Sequence, residues 1–227
     1  MKDDSSFNKG GYGNIKRRKL YRKFMNPKFK KSYHWEAKDT AFADILSHWV
    51  SVCRKYAKDV AGDWWWNYSE RPCIGFLAAA AWKSGGVALE EWATKKWTID
   101  DPPIYGRGDV WIRHQMKDFF IEGRHIRVTL KECSDFDKAF QRVKDRFDGA
   151  IECADRQKVE RQRIPQKKLG VIFIGMTFPK NDSSLRATWL YNLAGGLRPS
   201  ALAWMFISNK DKTCGFVLLG KTTEKLF

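Results

Sequence analysis

Between Gly106 and Arg124 the chain carries two acidic residues on strand-like runs, Asp109 before a polar turn and Glu122 after it. If the connection around Gln115–Met116 has two or four residues, antiparallel pairing sets Asp109 opposite Glu122, Val110 opposite Ile121 and Trp111 opposite Phe120. A three-residue loop breaks that register, and Gln-Met is a weak turn signal. In the favourable register Asp109, Trp111, Phe120, Glu122 and Arg124 share one face of the sheet. Opposed carboxylates lie about 4.5–5.5 Å apart at Cβ and repel each other. Such a pair calls for a cation or an unusual protonation state. The natural occupant is Mg²⁺, or Mn²⁺, which needs only one or two carboxylates beside substrate phosphate. It would polarise a scissile phosphate and lower the pKa of a bound water. The competing reading is a plain ion cluster, with Arg107 or Arg124 neutralising the two acids.

The charge balance points the same way. The formal net charge is +16 and the pI near 9.7, which biases the chain toward polyanionic partners. Residues 1 to about 35 read as an extended arm carrying Lys16, Arg17, Arg18, Lys19, Arg22, Lys23, Lys28, Lys30 and Lys31, with no acid between Asp4 and Glu36. Aromatic residues are interleaved there: Tyr12, Tyr21, Phe24, Phe29 and Tyr33. Repelling like charges keep such a segment extended until it meets phosphates. A solubilising tail is the plainer alternative.

Other chemistries find little support. The five cysteines are widely spaced with no Cys-x-x-Cys, and the four histidines lack ligand spacing. That pattern argues against a disulfide framework or a zinc site and suits a reducing compartment. No phosphate-loop motif supports ATP hydrolysis. The polar, then basic, N-terminus does not read as an export signal, and no apolar run approaches the ~18 residues of a membrane span. The expected localisation is cytoplasmic, so Arg107-Gly108-Asp109 is not read as an adhesion tripeptide. Trp64–Trp66 read as packing more than as base-stacking groups. His114 and His125 flank the acids and read first as ordinary hydrogen-bonded histidines.

The elements that must position the acids follow from periodicity. Phe42, Ile45, Trp49, Val52, Tyr56 and Val60 predict an amphipathic helix from about Asp39 to Val60, with Asp39 as N-cap. A helical stretch from about Glu70 to Lys83 ends at Gly85-Gly86, and a further short helix is predicted over Val87 to about Lys96, carrying Glu90 and Glu91. After Pro102-Pro103 come strand-like segments at 109–113, 118–123 and 126–131. Ser134 caps a long helix from about Asp135 to Glu160, with Phe136, Phe140, Val143, Phe147, Ile151 and Ala154 inward. Residues 171–176, 203–208 and 216–219 read as buried strands, and 185–193 as a helix. The expected fold is α/β, a mixed central sheet flanked by helices, with residues 36–227 as one domain after the arm.

The run from Trp64 to Arg124 resembles restriction-endonuclease-like proteins of the PD-(D/E)XK nuclease superfamily. The resemblance rests on Trp-Trp-Asn-Tyr-Ser-Glu-Arg (65–71), Leu-Ala-Ala-Ala-Ala-Trp (77–82), Leu-Glu-Glu-Trp (89–92), Gly-Arg-Gly-Asp-Val-Trp-Ile (106–112) and Ile-Glu-Gly-Arg (121–124), about a quarter of the chain. The superfamily pattern is a helix-borne glutamate, an acid on one strand and Glu-x-Lys on the next. It implies Asp109 and Glu122 as ligands of Mg²⁺ or Mn²⁺, Glu90 or Glu91 as the helix glutamate, and Gly106 and Arg107 shaping the approach. The lysine is here Arg124, whose guanidinium stays charged and cannot act as a base but can hold a phosphate. Lys131, farther along the next segment, is a lysine that could replace it. The implied function is an Mg²⁺-dependent endonuclease acting on DNA more than RNA, in bacterial defence or DNA processing. Cutting at two sites would favour a homodimer or a larger complex. The alternative is a catalytically silent nuclease-like core that binds nucleic acid or a protein partner.

Overall fold

The computed structural model describes residues 33–60, 67–96, 104–130, 136–158, 163–179, 183–208 and 212–223. The nine basic residues of the arm from Lys16 to Lys31 lie outside the described residues, as do Trp64–Trp66, Pro102, Pro103, Lys131 and Ser134. The first described strand is β1 (Tyr33–Ala37), so the end of the expected arm belongs to the sheet.

Asp39 starts helix α1 (Thr40–Asp59) as expected: its Oδ1 accepts from Ala41 N at 3.0 Å and Phe42 N at 3.3 Å. The buried stripe is Phe42, Ile45, Leu46, Trp49, Val50 and Cys53. Val52 and Tyr56, expected in it, are half-buried, and Val60 is exposed. Helix α2 (Glu70–Lys83) stops at Gly85, whose φ of +82° suits glycine alone among common residues.

The chain then turns back as a strand, β2 (Val87–Lys96), where a helix was expected. Antiparallel pairing with β3 (Ile104–His114), from Val87↔Arg113 to Lys96↔Ile104, overrides the modest helix preference of Leu-Glu-Glu. Strand β4 (Lys117–Thr129) follows a two-residue turn in which Gln115 and Met116 have φ of +48° and +57°. The pairs Val110↔Ile121 and Trp111↔Phe120 therefore stand as expected. The segments anticipated at 118–123 and 126–131 are one strand.

Helix α3 (Phe136–Arg156) carries the chain over the sheet and hands directly to β5 (Gln157–Lys158), which pairs with β2. Strand β6 (Gln166–Pro179) lies parallel to β4. Helix α4 (Ser183–Leu197) and strands β7 (Ala201–Ser208) and β8 (Lys212–Thr222) complete the fold. Among the described residues the sheet is mixed and eight-stranded, in the order β1-β7-β8-β6-β4-β3-β2-β5. One core joins α1 and α2 to a face of the sheet through Trp49, Leu77, Ile121 and Phe173. The other joins α3 and α4 to the opposite face through Phe147, Trp189, Ile174 and Trp204. Among the described residues no helix is long and apolar enough to cross a membrane.

The sheet forks at its centre. The β3–β4 ladder ends at Val110↔Ile121; beyond it β3 stays with β2, while β4 stays with β6 as far as Thr129↔Thr177. Helix α2 presses into the fork at Gly123, where a Cβ would come within 2.7 Å of Ile74 Cδ1 and 3.2 Å of the Phe173 ring. Gly123→Ala should therefore cost about 1–3 kcal/mol by overpacking, measured by urea unfolding. Because Ile74 supplies the nearest atom, Gly123→Ala with Ile74→Ala should lose less than the sum of the single changes. Strict additivity would place α2 elsewhere.

Candidate active site

At the fork the carboxylates of Asp109 and Glu70 converge on the guanidinium of Arg124. Asp109 sits where β3 leaves β4, and its Oδ2 accepts from the backbone N–H of Gly123 at 2.7 Å. Without the ladder that amide needs another acceptor, and the carboxylate supplies it. Arg124 Nη1 lies 3.9 Å from Asp109 Oδ2 and 3.7 Å from Glu70 Oε1. Its shorter contacts go to Gly123 O at 2.7 Å and Cys153 Sγ at 3.1 Å, so it is only loosely paired with the acids.

Glu70, the first residue of α2, is the helix-borne glutamate of this site. Burial raises its pKa, and the charges of Asp109 and Glu122 raise it further against the opposing pull of Arg124 and Arg146. Glu90 and Glu91, expected to supply that glutamate, lie on strand β2. Sequence reasoning missed Glu70 although it opens the expected helix at residue 70 and stands within the Ser-Glu-Arg of the resembling segment. The decisive error was the helix assigned to 87–96, which made Glu90 and Glu91 look equivalent to it.

Glu122 occupies different surroundings from Asp109. It is 1% exposed, and its Oε1 accepts from Gln157 Nε2 at 2.5 Å. Gln157 reaches it because β5 follows α3 without a loop and pairs with β2. Gly108 makes room: a Cβ there would stand 2.4 Å from Trp92 Nε1 and 3.0 Å from Gln157 Nε2. Gln157 Oε1 and Trp92 Nε1 are buried without a hydrogen-bond partner among the described residues. Such orphans cost stability, and they cluster where a site is shaped for something besides stability. No spacing rule in the sequence points to Gln157.

A cleft of about 670 Å³ opens on the α2 side of the fork, with Glu70, Glu90 and Asp109 in its wall. Arg71, Arg107 and Glu91 also line it, and Arg107 Nη1 donates to Glu91 Oε2 at 2.7 Å. Arg107 thus pairs with Glu91. His114 is buried and hydrogen-bonds Asp44 of α1 through Nε2 at 2.7 Å, a packing role.

Among the described residues no group of three or more His, Cys, Asp or Glu is gathered to hold a metal. A hard cation such as Mg²⁺ demands less, because water and phosphate supply most of its ligands. Burial raises the Glu70 pKa most and the charge of Asp109 next, and a cation would relieve the second of these. Asp109 and Glu70, which share the contact with Arg124, are the residues that could hold such a cation.

Comparison with protein-family models, with curated proteins and with solved structures returned no match.

The raised pKa of Glu70 fixes the sign of a stability change. Its protonated form is favoured in the fold, so stability is fully present below the unfolded-state pKa and is lost as pH rises through the folded one. Glu70→Gln should therefore melt higher than the parent chain at pH 7, and the difference should vanish near about pH 4. A lower melting temperature at pH 7 would contradict this. Gln157→Leu, which strips the buried Glu122 of its donor, should cost about 1–3 kcal/mol in urea unfolding. Gln157→Glu, which places a second acid there, should cost more.

Proposed function

We propose that the chain is a divalent-cation-dependent, nuclease-like protein acting on nucleic acid, with Asp109 and Glu70 at its centre. The observation that carries this reading is the convergence of a helix-borne glutamate, an acid on one strand and Glu-x-Arg on the next at the β3–β4 fork. That is the pattern on which the resemblance to PD-(D/E)XK nucleases rests, with Glu70 in place of Glu90 or Glu91. The net charge of +16 supports a polyphosphate substrate, and the resemblance alone sets DNA before RNA.

Asp109 and Glu70 would hold Mg²⁺ or Mn²⁺ at the cleft, and Glu122, set by Gln157, would support them from the buried side. The cation, when bound, polarises a phosphate and lowers the pKa of its water. Arg124, permanently charged, is placed to hold a phosphate oxygen or developing negative charge and does not serve as base. The arm would add phosphate contacts without reading sequence.

A second reading is a catalytically silent core that binds nucleic acid or a protein partner. Arg124 in the lysine position and the burial of Glu122 at 1% exposure favour it. Incubation of the purified chain with plasmid, single-stranded DNA and RNA in Mg²⁺ or Mn²⁺ separates the two. The nuclease reading expects cutting that falls roughly 100-fold or more in Asp109→Asn and Glu70→Gln, as loss of metal-assisted charge stabilisation would do, with binding retained. Salt-sensitive binding without cutting by any form selects the silent core.

A further inference from the structure

The rim of the cleft carries charge of the opposite sign from its wall, and one acid is built into that rim in an unusual way. Glu91 has φ of +50°, a left-handed backbone that residues with a Cβ adopt at a cost. The β2–β3 ladder passes from Glu90↔Val110 to Trp92↔Gly108, so the step at Glu91 and Asp109 is skipped. Released from the ladder, Glu91 extends its carboxylate between two arginines. Oε2 accepts from Arg107 Nη1 at 2.7 Å, and Oε1 pairs with Arg71 Nη2. Both guanidiniums are largely solvent-exposed, at 79% for Arg71 and 72% for Arg107.

A carboxylate bridging two guanidiniums, one oxygen to each, presents the acceptor arrangement of the two non-bridging oxygens of a phosphodiester. Exposed ion pairs of this kind contribute little and exchange readily for a better anion. We propose that Arg71 and Arg107 form a phosphodiester-binding clasp whose place Glu91 fills until a nucleic-acid strand displaces it. The inference rests on the nucleic-acid reading above and adds a second phosphate position on the same cleft as Asp109. The strand would lie along the rim, with one phosphate in the clasp and a neighbouring one over the acidic wall. Glu91 then acts as an internal competitor that holds nonspecific affinity down. The clasp comes from α2 and β3 together, so it exists only in the folded chain.

The test uses the full chain in EDTA, which separates binding from cutting. Fluorescence anisotropy with a labelled 20-mer duplex and the matching single strand should show Glu91→Gln binding roughly 3–10-fold tighter than the parent chain, with Arg71→Ala and Arg107→Ala each weaker. The double variant Arg71→Ala with Arg107→Ala should lower the slope of log K against log salt by about 0.9 for duplex, and adding Glu91→Gln to it should bring no gain. Unchanged or weaker binding by Glu91→Gln, in a chain that otherwise binds, overturns the clasp and leaves the nuclease reading standing. If no form binds nucleic acid, titration with inorganic phosphate decides, followed by the arginine Nε–Hε resonances. Shifts at Arg71 and Arg107 at lower phosphate concentration in Glu91→Gln than in the parent uphold an anion clasp, and no shift in either protein overturns it.

Discussion

The hydrogen bond from the Gly123 amide to Asp109 is the contact around which the rest is arranged. Where two strands separate, their backbone groups lose their partners, and an unpaired amide at that depth is costly. Asp109 meets the need with a side chain, and so the fork holds a carboxylate in a fixed place. Because position 123 is glycine, α2 can lie directly on the same amide, which brings Glu70 to the mouth of the fork. Because β5 follows α3 at once, Gln157 reaches Glu122 from the other side. Three elements far apart in sequence thus meet where the sheet opens.

The electrostatics of that meeting are unfavourable by design of the local chain. Arg124 stands 3.7–3.9 Å from Glu70 and Asp109 and makes its closer hydrogen bonds to Gly123 O and Cys153. Burial, and after it the charge of Asp109, raise the pKa of Glu70. Elsewhere the same protein pairs acids closely: Arg113 forks onto Asp118 at 2.7 and 2.8 Å, and Lys117 and Lys167 both reach Asp39. At the fork the ion pairs are longer.

Much of this was legible in the sequence. The hairpin register was legible only on condition of the turn length: a two-residue turn at Gln115–Met116 sets Val110 opposite Ile121 and Trp111 opposite Phe120, as β3 and β4 in fact pair. The 3.6-residue spacing of Phe136, Val143, Phe147 and Ala154 gave α3 within a few residues of its ends. The segment 87–96 was misread because Leu-Glu-Glu has helical preference, while its partner β3 begins only at Ile104 and cannot be seen locally. The same blindness hid Gln157: nothing within its neighbourhood says that α3 ends beside β2. Asp109 and Glu122 were rightly placed on neighbouring strands, yet their different burial depends on α3 and β5, which local periodicity does not reveal.

On the proposed reading the fork gathers carboxylates for a hard divalent cation. The most direct measurement of this is the anomalous difference map of a crystal soaked in Mn²⁺. The account predicts a peak about 2.1 Å from an Asp109 oxygen, within reach of Glu70 and absent after Asp109→Asn. A fork free of anomalous density at saturating Mn²⁺, with Arg124 drawn fully onto Asp109 and Glu70, would contradict it.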